Sequence, residues 1–284
     1  MKSMTLPAYA KLNLTLDILR KRPDGYHDLR MVMQSIALHD TVTVHTETGD
    51  GDITVRTDRE DLPGGPGNIA WKAARAFYDA VGMENGGTEI LLEKRIPMQA
   101  GMAGGSADGA AVLQALRSLY APEMSRQELE RIGLQVGSDV PFFIRGGTQL
   151  AIGRGEIVTP LPPLTAGWFV VVKPEESYST AEMYRRLDEA GMAVHPDTRR
   201  MMDALQRRDL AEIFSQIGNV FEQVLPPGSE IFAIRDRLLT LGAGTACMSG
   251  SGSAVVGFFS QEEAARSSAA AMTGVPFVRC VGRG

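Results

Sequence analysis

The sequence predicts an α+β protein of two domains, and three observations carry the prediction. Strand and helix patterns are mixed without the regular βαβ alternation of a doubly wound sheet. The length, 284 residues, suits two domains at roughly 150 residues each. The stretch Thr159-Pro160-Leu161-Pro162-Pro163-Leu164 fits neither a helix interior nor a central strand, and marks the boundary. The expected domains are residues 1–160 and 161–284.

Element by element, the first third reads mainly as strands. Thr41-Val42-Thr43-Val44-His45 and Asp52-Ile53-Thr54-Val55-Arg56 alternate apolar with polar, the pattern of half-buried strands. A helix is expected from Asn68, a good N-cap, with Ile69, Ala73, Ala76, Phe77 and Ala80 on one face and Gly82 as its stop. Residues 89–96 return to strand and end at Pro97. A Gly-rich loop then feeds a second helix, with Val112, Leu113, Leu116, Leu119 and Tyr120 at helical spacing. Beyond the prolines, residues 168–172 read as a strand, followed by helices around 180–190, 196–217 and 229–241. A Gly/Ser turn, a strand at 254–259, a helix from Gln261 and a strand near 275–280 close the order.

Composition narrows the function classes. Hydrophobic residues make up 44% and charged residues 22%, so the chain can bury a core without staples. Its formal charge is −5, and no basic run is interleaved with aromatics. Nucleic-acid binding is therefore disfavoured. The two cysteines, Cys247 and Cys280, form no CxxC or Cys/His cluster, so a structural zinc is unexpected and a reducing cytoplasm is the expected compartment. Lys11 interrupts the first apolar stretch before a signal-peptide core could form, and no apolar run is long enough to span a bilayer.

Four segments could carry chemistry. Residues 97–108, Pro97-Met98-Gln99-Ala100-Gly101-Met102-Ala103-Gly104-Gly105-Ser106-Ala107-Asp108, put small residues between a strand and a helix. Backbone N–H groups can converge there, and the helix adds its positive end, which suits phosphate. A tight turn needing Gly only for its angles explains the same residues equally well. It is neither a Walker A loop nor a GxGxxG turn. A second small-residue loop, Met248-Ser249-Gly250-Ser251-Gly252-Ser253, suggests a second wall around one phosphorylated ligand. Gly137-Ser138-Asp139-Val140-Pro141-Phe142-Phe143 places a carboxylate before an apolar run; alone, Asp139 reads as a helix cap or turn residue. Lys11 and Asn13 share one face of a strand, and Asp24-Gly25-Tyr26-His27 is a turn presenting an aromatic and an imidazole.

Taken in order, Ala10-Lys11-Leu12-Asn13-Leu14, residues 97–108 and residues 248–253 resemble the three motifs of the GHMP small-molecule kinases. Arg22-Pro23-Asp24-Gly25-Tyr26-His27-Asp28-Leu29 and residues 137–143 resemble one branch in particular. Its members phosphorylate a cytidine-diphosphate ester of methylerythritol in the non-mevalonate isoprenoid pathway. Gly146-Gly147-Thr148 with Gly153-Arg154-Gly155-Glu156, and Ser179-Thr180-Ala181-Glu182-Met183-Tyr184, match further, so the resemblance runs over residues 8–259. Met102-Ala103 stand where Leu-Gly is commoner, and Ala107 where a second Ser is frequent.

The resemblance implies an N-terminal domain like ribosomal protein S5 domain 2 and a ferredoxin-like C-terminal domain, with the site between them. It implies transfer of the γ-phosphoryl of ATP, brought with Mg²⁺, to the substrate's 2-hydroxyl. Asp139 would take the hydroxyl proton, and Lys11 would keep Asp139 ionised and steady the transferring charge. Pro97, Gly101, Gly104, Gly105, Ser106 and Ala107 would hold ATP, with Ser249, Gly250, Ser251 and Gly252 as the second loop. Asn13 would position the substrate hydroxyl region. Tyr26 and Tyr184, with Tyr178 as the weaker choice, would sandwich the cytosine while His27 reads its edge. No metal ligand and no oligomeric state is implied. Competing readings are a mevalonate- or homoserine-type kinase of the same superfamily, or an inactive ligand sensor on the same scaffold. Asn68 is sufficiently explained as a cap, and His39, His45 and His195 read as isolated structural or surface residues.

Overall fold

The computed structural model describes residues 1–47, 51–84, 87–191 and 194–284. The chain is α+β and forms two compact units that interleave along the sequence. Unit 1 comprises Met1–Ala10, Leu38–Ile96 and Ala103–Gly146; unit 2 comprises Lys11–Ala37, Pro97–Met102 and Gly147–Gly284. The sequence places a single boundary at 160, whereas the compact units exchange segments several times. The reason is two strands of 20 residues, β1 (Lys2–Lys21) and β2 (His27–Thr46), each of which supplies residues to both units.

In unit 1, β3 (Ile53–Thr57) pairs in parallel with β4 (Thr88–Glu93), and β4 pairs antiparallel with the second half of β2, Val42 opposite Leu92. Helices α1 (Ile69–Val81), α2 (Gly104–Tyr120), α3 (Arg126–Val136) and α4 (Val140–Arg145) complete it. Its core joins Val42, Val44, Ile90 and Leu92 of the strands to Phe77, Tyr78, Leu113, Leu116 and Leu129 of the helices. The α1 signals act as their chemistry predicts: the Asn68 side chain accepts from the Ala70 N–H, and Gly82 ends the helix at φ 65°. Helix α3, not anticipated from the sequence, begins with a capping box between Ser125 and Glu128.

In unit 2, the first half of β2 pairs with β5 (Thr148–Gly153), which pairs with β6 (Ile157–Pro160), while β1 meets the short β8 (Gly218–Asn219). The rest follows a β–α–β–β–α–β succession. Strands β7 (Trp168–Lys173), β9 (Thr245–Met248), β10 (Val255–Phe259) and β11 (Phe277–Val281) form an antiparallel sheet in the order β11-β7-β10-β9. That order is the ferredoxin-like arrangement the resemblance implies. Its helices are α5 (Thr180–Ala190), α6 (Thr198–Arg207), α7 (Leu210–Gln216), α8 (Glu230–Thr240) and α9 (Glu262–Ala271). The single helix expected over 196–217 is broken in two. Arg208 turns left-handed at φ 56°, and the Asp209 side chain caps the new start by accepting from the Glu212 N–H.

Candidate active site

Between β4 and α2 the backbone is left-handed at alternate residues: Gln99 (φ 49°), Gly101 (φ 69°) and Ala103 (φ 54°). Left-handed residues of this kind occur in the anion-binding nests that successive backbone N–H groups can form. Ala103 occupies the N-cap position of α2 and makes no side-chain capping bond. The amino end of α2 therefore offers the N–H groups of Gly104, Gly105 and Ser106, together with the helix dipole. Ala107 drops out of the expected set. Its N–H donates to Ala103 O at 3.0 Å and its side chain is buried, so it belongs to the helix and core. Pro97 carries no N–H and can only shape the entry to the loop.

The glycines turn out to be small for a different reason from the one expected. A Cβ on Gly104 would lie 3.1 Å from Ile96 Cγ2, and one on Gly105 would lie 3.3 Å from Ile69 Cδ1. Both would point into packed side chains, so these positions are small to seat α2, and only their N–H groups remain for a ligand. Gly101 is the backbone-driven case. Its Cβ would fall 1.9 Å from Ser249 O, at a φ that L-residues rarely adopt.

That contact also corrects the picture of two facing walls. The loop at 249–252 lies directly against Gly101 and is tied to it: Ser249 Oγ donates to Gly101 O at 3.2 Å, and Ser253 N–H donates to Gln99 O at 3.2 Å. Ser251 Oγ pairs with Thr180 Oγ1 at 2.9 Å, while Gly250 and Gly252 take positive φ. Gly101→Ala should cost about 2 kcal/mol or more, since the left-handed region alone is worth 1–2 kcal/mol to an L-residue and the loops must also part. Gly105→Ala should cost less than about 1 kcal/mol, because a flexible Ile side chain can yield. Urea unfolding of both variants checks the contrast; equal stability would dismiss the backbone contact.

Lys11 and Asn13 are buried, not solvated strand residues. The Lys11 ammonium donates to Asn13 Oδ1 at 2.7 Å, and the same oxygen accepts the Gly250 N–H at 3.2 Å. Asn13 Nδ2 reaches Met31 Sδ at 3.5 Å. Asn219, at the end of β8, continues the chain of bonds by donating to Met248 O at 2.8 Å and Gly250 O at 2.7 Å. A hydrogen-bonded path thus runs Lys11–Asn13–Gly250–Asn219. Glu222 supports the same loop by accepting the Met248 N–H at 2.7 Å, and its burial pushes its carboxyl pKa up. Neither Asn219 nor Glu222 stands out in the sequence, because the bonds by which they hold this loop go to backbone groups 26 to 31 residues along the chain.

Asp139 occupies the N-cap position of α4, yet its side chain makes no capping bond. The bland explanation for a carboxylate here, a helix cap, is therefore absent. Helix α4 is held instead by the burial of Val140, Pro141, Phe142 and Ile144.

The turn between β1 and β2 is built by its own side chains. Gly25 sits at φ 85°, Asp24 Oδ1 accepts the Tyr26 N–H at 3.1 Å, and Arg22 bonds Asp24 and Asp28. Tyr26 is 57% exposed, with the Arg154 guanidinium 4.9 Å from its ring centroid. His27 is buried; its Nε2 bonds Asp188 Oδ1 at 2.7 Å, and its ring stacks on Tyr184 at 4.5 Å. Tyr184 is thus not simply an open platform facing Tyr26, since one face is covered by the imidazole and Phe221 meets it edge-on at 5.2 Å. Tyr178 bonds Glu176 through its hydroxyl and has Arg186 over its ring. Asp188 was not anticipated, being 161 residues from His27. Two of the other histidines are not isolated: His195 Nδ1 bonds the buried Asp17 at 2.6 Å, and His39 lies edge-on to Tyr9, whereas His45 Nδ1 is buried without a hydrogen-bond partner among the described residues.

Among the described residues, no group of three or more His, Cys, Asp or Glu is placed to hold a metal ion, and no helix is long and apolar enough to cross a membrane.

The GHMP kinases N terminal domain family matches residues 68–147, and the GHMP kinases C terminal family matches residues 201–274. The 4-diphosphocytidyl-2-C-methyl-D-erythritol kinase of Lachnoclostridium phytofermentans is 42% identical over 93% of this chain and 91% of its own. That of Acetivibrio thermocellus is 43% identical over 93% of each. A crystal structure of a 4-(cytidine 5'-diphospho)-2C-methyl-D-erythritol kinase superposes with a TM-score of 0.82 at 32% identity, covering 99% of this chain and 100% of the other. A homoserine kinase from Cytophaga hutchinsonii shares the fold, with a TM-score of 0.80 at 20% identity.

Proposed function

Because this chain belongs to the GHMP kinases and, within them, to the 4-diphosphocytidyl-2-C-methyl-D-erythritol kinases, we propose that it uses ATP to phosphorylate the 2-hydroxyl of that cytidyl substrate, with the residues above in the following roles. The observation that carries the reading is the uncapped amino end of α2 behind a backbone of alternating left-handed residues. The N–H groups of Gly104, Gly105 and Ser106 hold the phosphates of ATP. Phosphoryl transfer then needs a place for the alcohol proton and a neutraliser for the moving charge. Asp139 accepts the proton. Lys11, aimed by Asn13, neutralises the charge. Asn13 is committed to Lys11 and Gly250, so it serves the substrate through the lysine. Mg²⁺ bound to the triphosphate would supply further charge neutralisation; we assign it no protein ligand.

Cytosine recognition follows from the His27 tautomer. A carboxylate only accepts, so Asp188 fixes a proton on Nε2. In the neutral ring Nδ1 is then an acceptor, which suits the 4-amino donor of cytosine and opposes the O4 acceptor of uracil. Tyr26, being exposed, supplies the stacking face. Tyr184 holds the His27 ring and so acts as a positioning residue.

An ATP-consumption assay with the cytidyl substrate, run beside mevalonate and homoserine, tests the function; turnover of either smaller alcohol alone would replace it. For the base site, Tyr26→Ala should weaken cytidyl-substrate binding about ten- to a hundredfold, roughly 1.4–2.7 kcal/mol, and leave ATP affinity unchanged. A uridyl analogue should be turned over poorly by the wild type. Normal binding by Tyr26→Ala, or equal turnover of both bases, would reduce the Asp24–His27 turn to packing.

A further inference from the structure

A buried charge cluster in unit 1 has no part in the chemistry proposed above. Lys94 lies just beyond β4, its side chain 6% exposed, and its ammonium bridges the carboxylates of Asp40 and Asp108. Those carboxylates are 0% and 4% exposed. Asp40, on β2, turns its other oxygen to the backbone N–H groups of Arg95, at 2.5 Å, and Ile96, at 2.8 Å. Asp108 lies one turn into α2, and its Oδ1 is buried without a hydrogen-bond partner. Burial raises the Asp108 pKa to about 7 against the pull of Lys94. Burial also works against the charge of Lys94, but the two carboxylates outweigh it and hold its pKa above the ordinary lysine value.

Stability alone gives little reason for such a cluster, because a buried ion pair or triad can often be replaced by apolar side chains without loss. Its position gives a better one. Residues 97–103 leave Ile96 and re-enter the fold at Gly104. Asp40 grips the backbone immediately before the loop, and Lys94 ties that same point to the first turns of α2 immediately after it. Gly104 is seated at the junction, where an added Cβ would stand 3.1 Å from Ile96 Cγ2 and 3.5 Å from Asp40 Oδ2. A Cβ there would require Ile96 to give by a few tenths of an ångström, and a larger side chain would press on both ends of the loop.

We propose that Lys94, Asp40 and Asp108 are positioning residues that clamp both ends of the phosphate loop and so set the direction of the N–H groups it presents to ATP. The proposal rests on the reading of that loop as the ATP phosphate site. An N–H group turned away from a phosphate loses a charge-assisted hydrogen bond, so the clamp should be visible in ATP affinity without touching the ligand.

The test uses the full chain. Lys94→Met leaves two buried carboxylates facing each other and can fail to fold. Asp108→Asn keeps the side-chain shape and leaves the Lys94–Asp40 pair in place. With a melting temperature close to wild type, Asp108→Asn should bind ATP about tenfold more weakly by calorimetry and bind the cytidyl substrate within about twofold of wild type. Hydrogen exchange on the wild type, with and without ATP, separates the proposal from its premise. If ATP fails to protect the amides of residues 104–106, the phosphate-site reading falls and the clamp with it. If ATP protects them, yet Asp108→Asn keeps wild-type ATP affinity or loses both ligands equally, the triad is structural only and the clamp is overturned.

Discussion

Asp139→Asn is expected to give a folded protein whose phosphoryl transfer is slower by about 10²–10⁴, the usual loss when a positioned base is removed. The fold should hold for reasons visible around the residue. Asp139 sits at the N-cap position of α4 but gives that helix no side-chain bond, so no cap is lost. Asn is itself as good an N-cap as Asp, and the short helix is anchored by Val140, Pro141, Phe142 and Ile144, none of which changes. What changes is the ability to take a proton. The loss should appear in kcat, with the KM for ATP and for the cytidyl substrate nearly unchanged, because the interaction matters mainly in the transition state. Circular dichroism would establish the fold, and single-turnover rates would give the chemical step. A folded Asp139→Asn protein with near wild-type turnover would remove Asp139 from the mechanism.

Legibility in the sequence followed the range of the interactions. Helix α1 could be read because Asn68 and Gly82 act within a few residues of themselves. The break between α6 and α7 could not, because an apolar pattern continues across Arg208 while the backbone turns left-handed there. The Gly-rich loop at 97–108 was visible as a composition, but its geometry was not. Gly101 is required by a neighbour 148 residues away, Ser249, and Gly104 and Gly105 by Ile96 and Ile69. The same distinction separates Asn13, noticed for its place beside Lys11, from Asn219, which orients the same loop through the carbonyls of Met248 and Gly250. Asp188 and the triad of Lys94, Asp40 and Asp108 were missed for the same reason. Each is an ordinary surface-type residue until tertiary structure brings it beside its partner.

The hydrogen-bonded path through Asn13 leads to the second large effect, that of Lys11→Met. Methionine is a fair match for the lysine stem, so the buried strand keeps most of its packing. Asn13 Oδ1 still accepts the Gly250 N–H, and Asn219 still holds the Gly250 carbonyl, so the loop at 249–252 should stay in place. Thermal stability should therefore change by only a few degrees for a loss of about 1 kcal/mol in a chain of this size. Turnover should fall about 10²–10³-fold, the range found when one preorganised charge-stabilising donor is deleted from a water-poor site. Asn13→Ala supplies the internal comparison. It keeps the ammonium but frees it from its 2.7 Å partner, so it should lose less turnover than Lys11→Met and show that the charge, once present, must also be aimed. If Lys11→Met loses stability while turnover per folded molecule holds, Lys11 is a buried structural residue and the charge on the transferring group must be met by other residues.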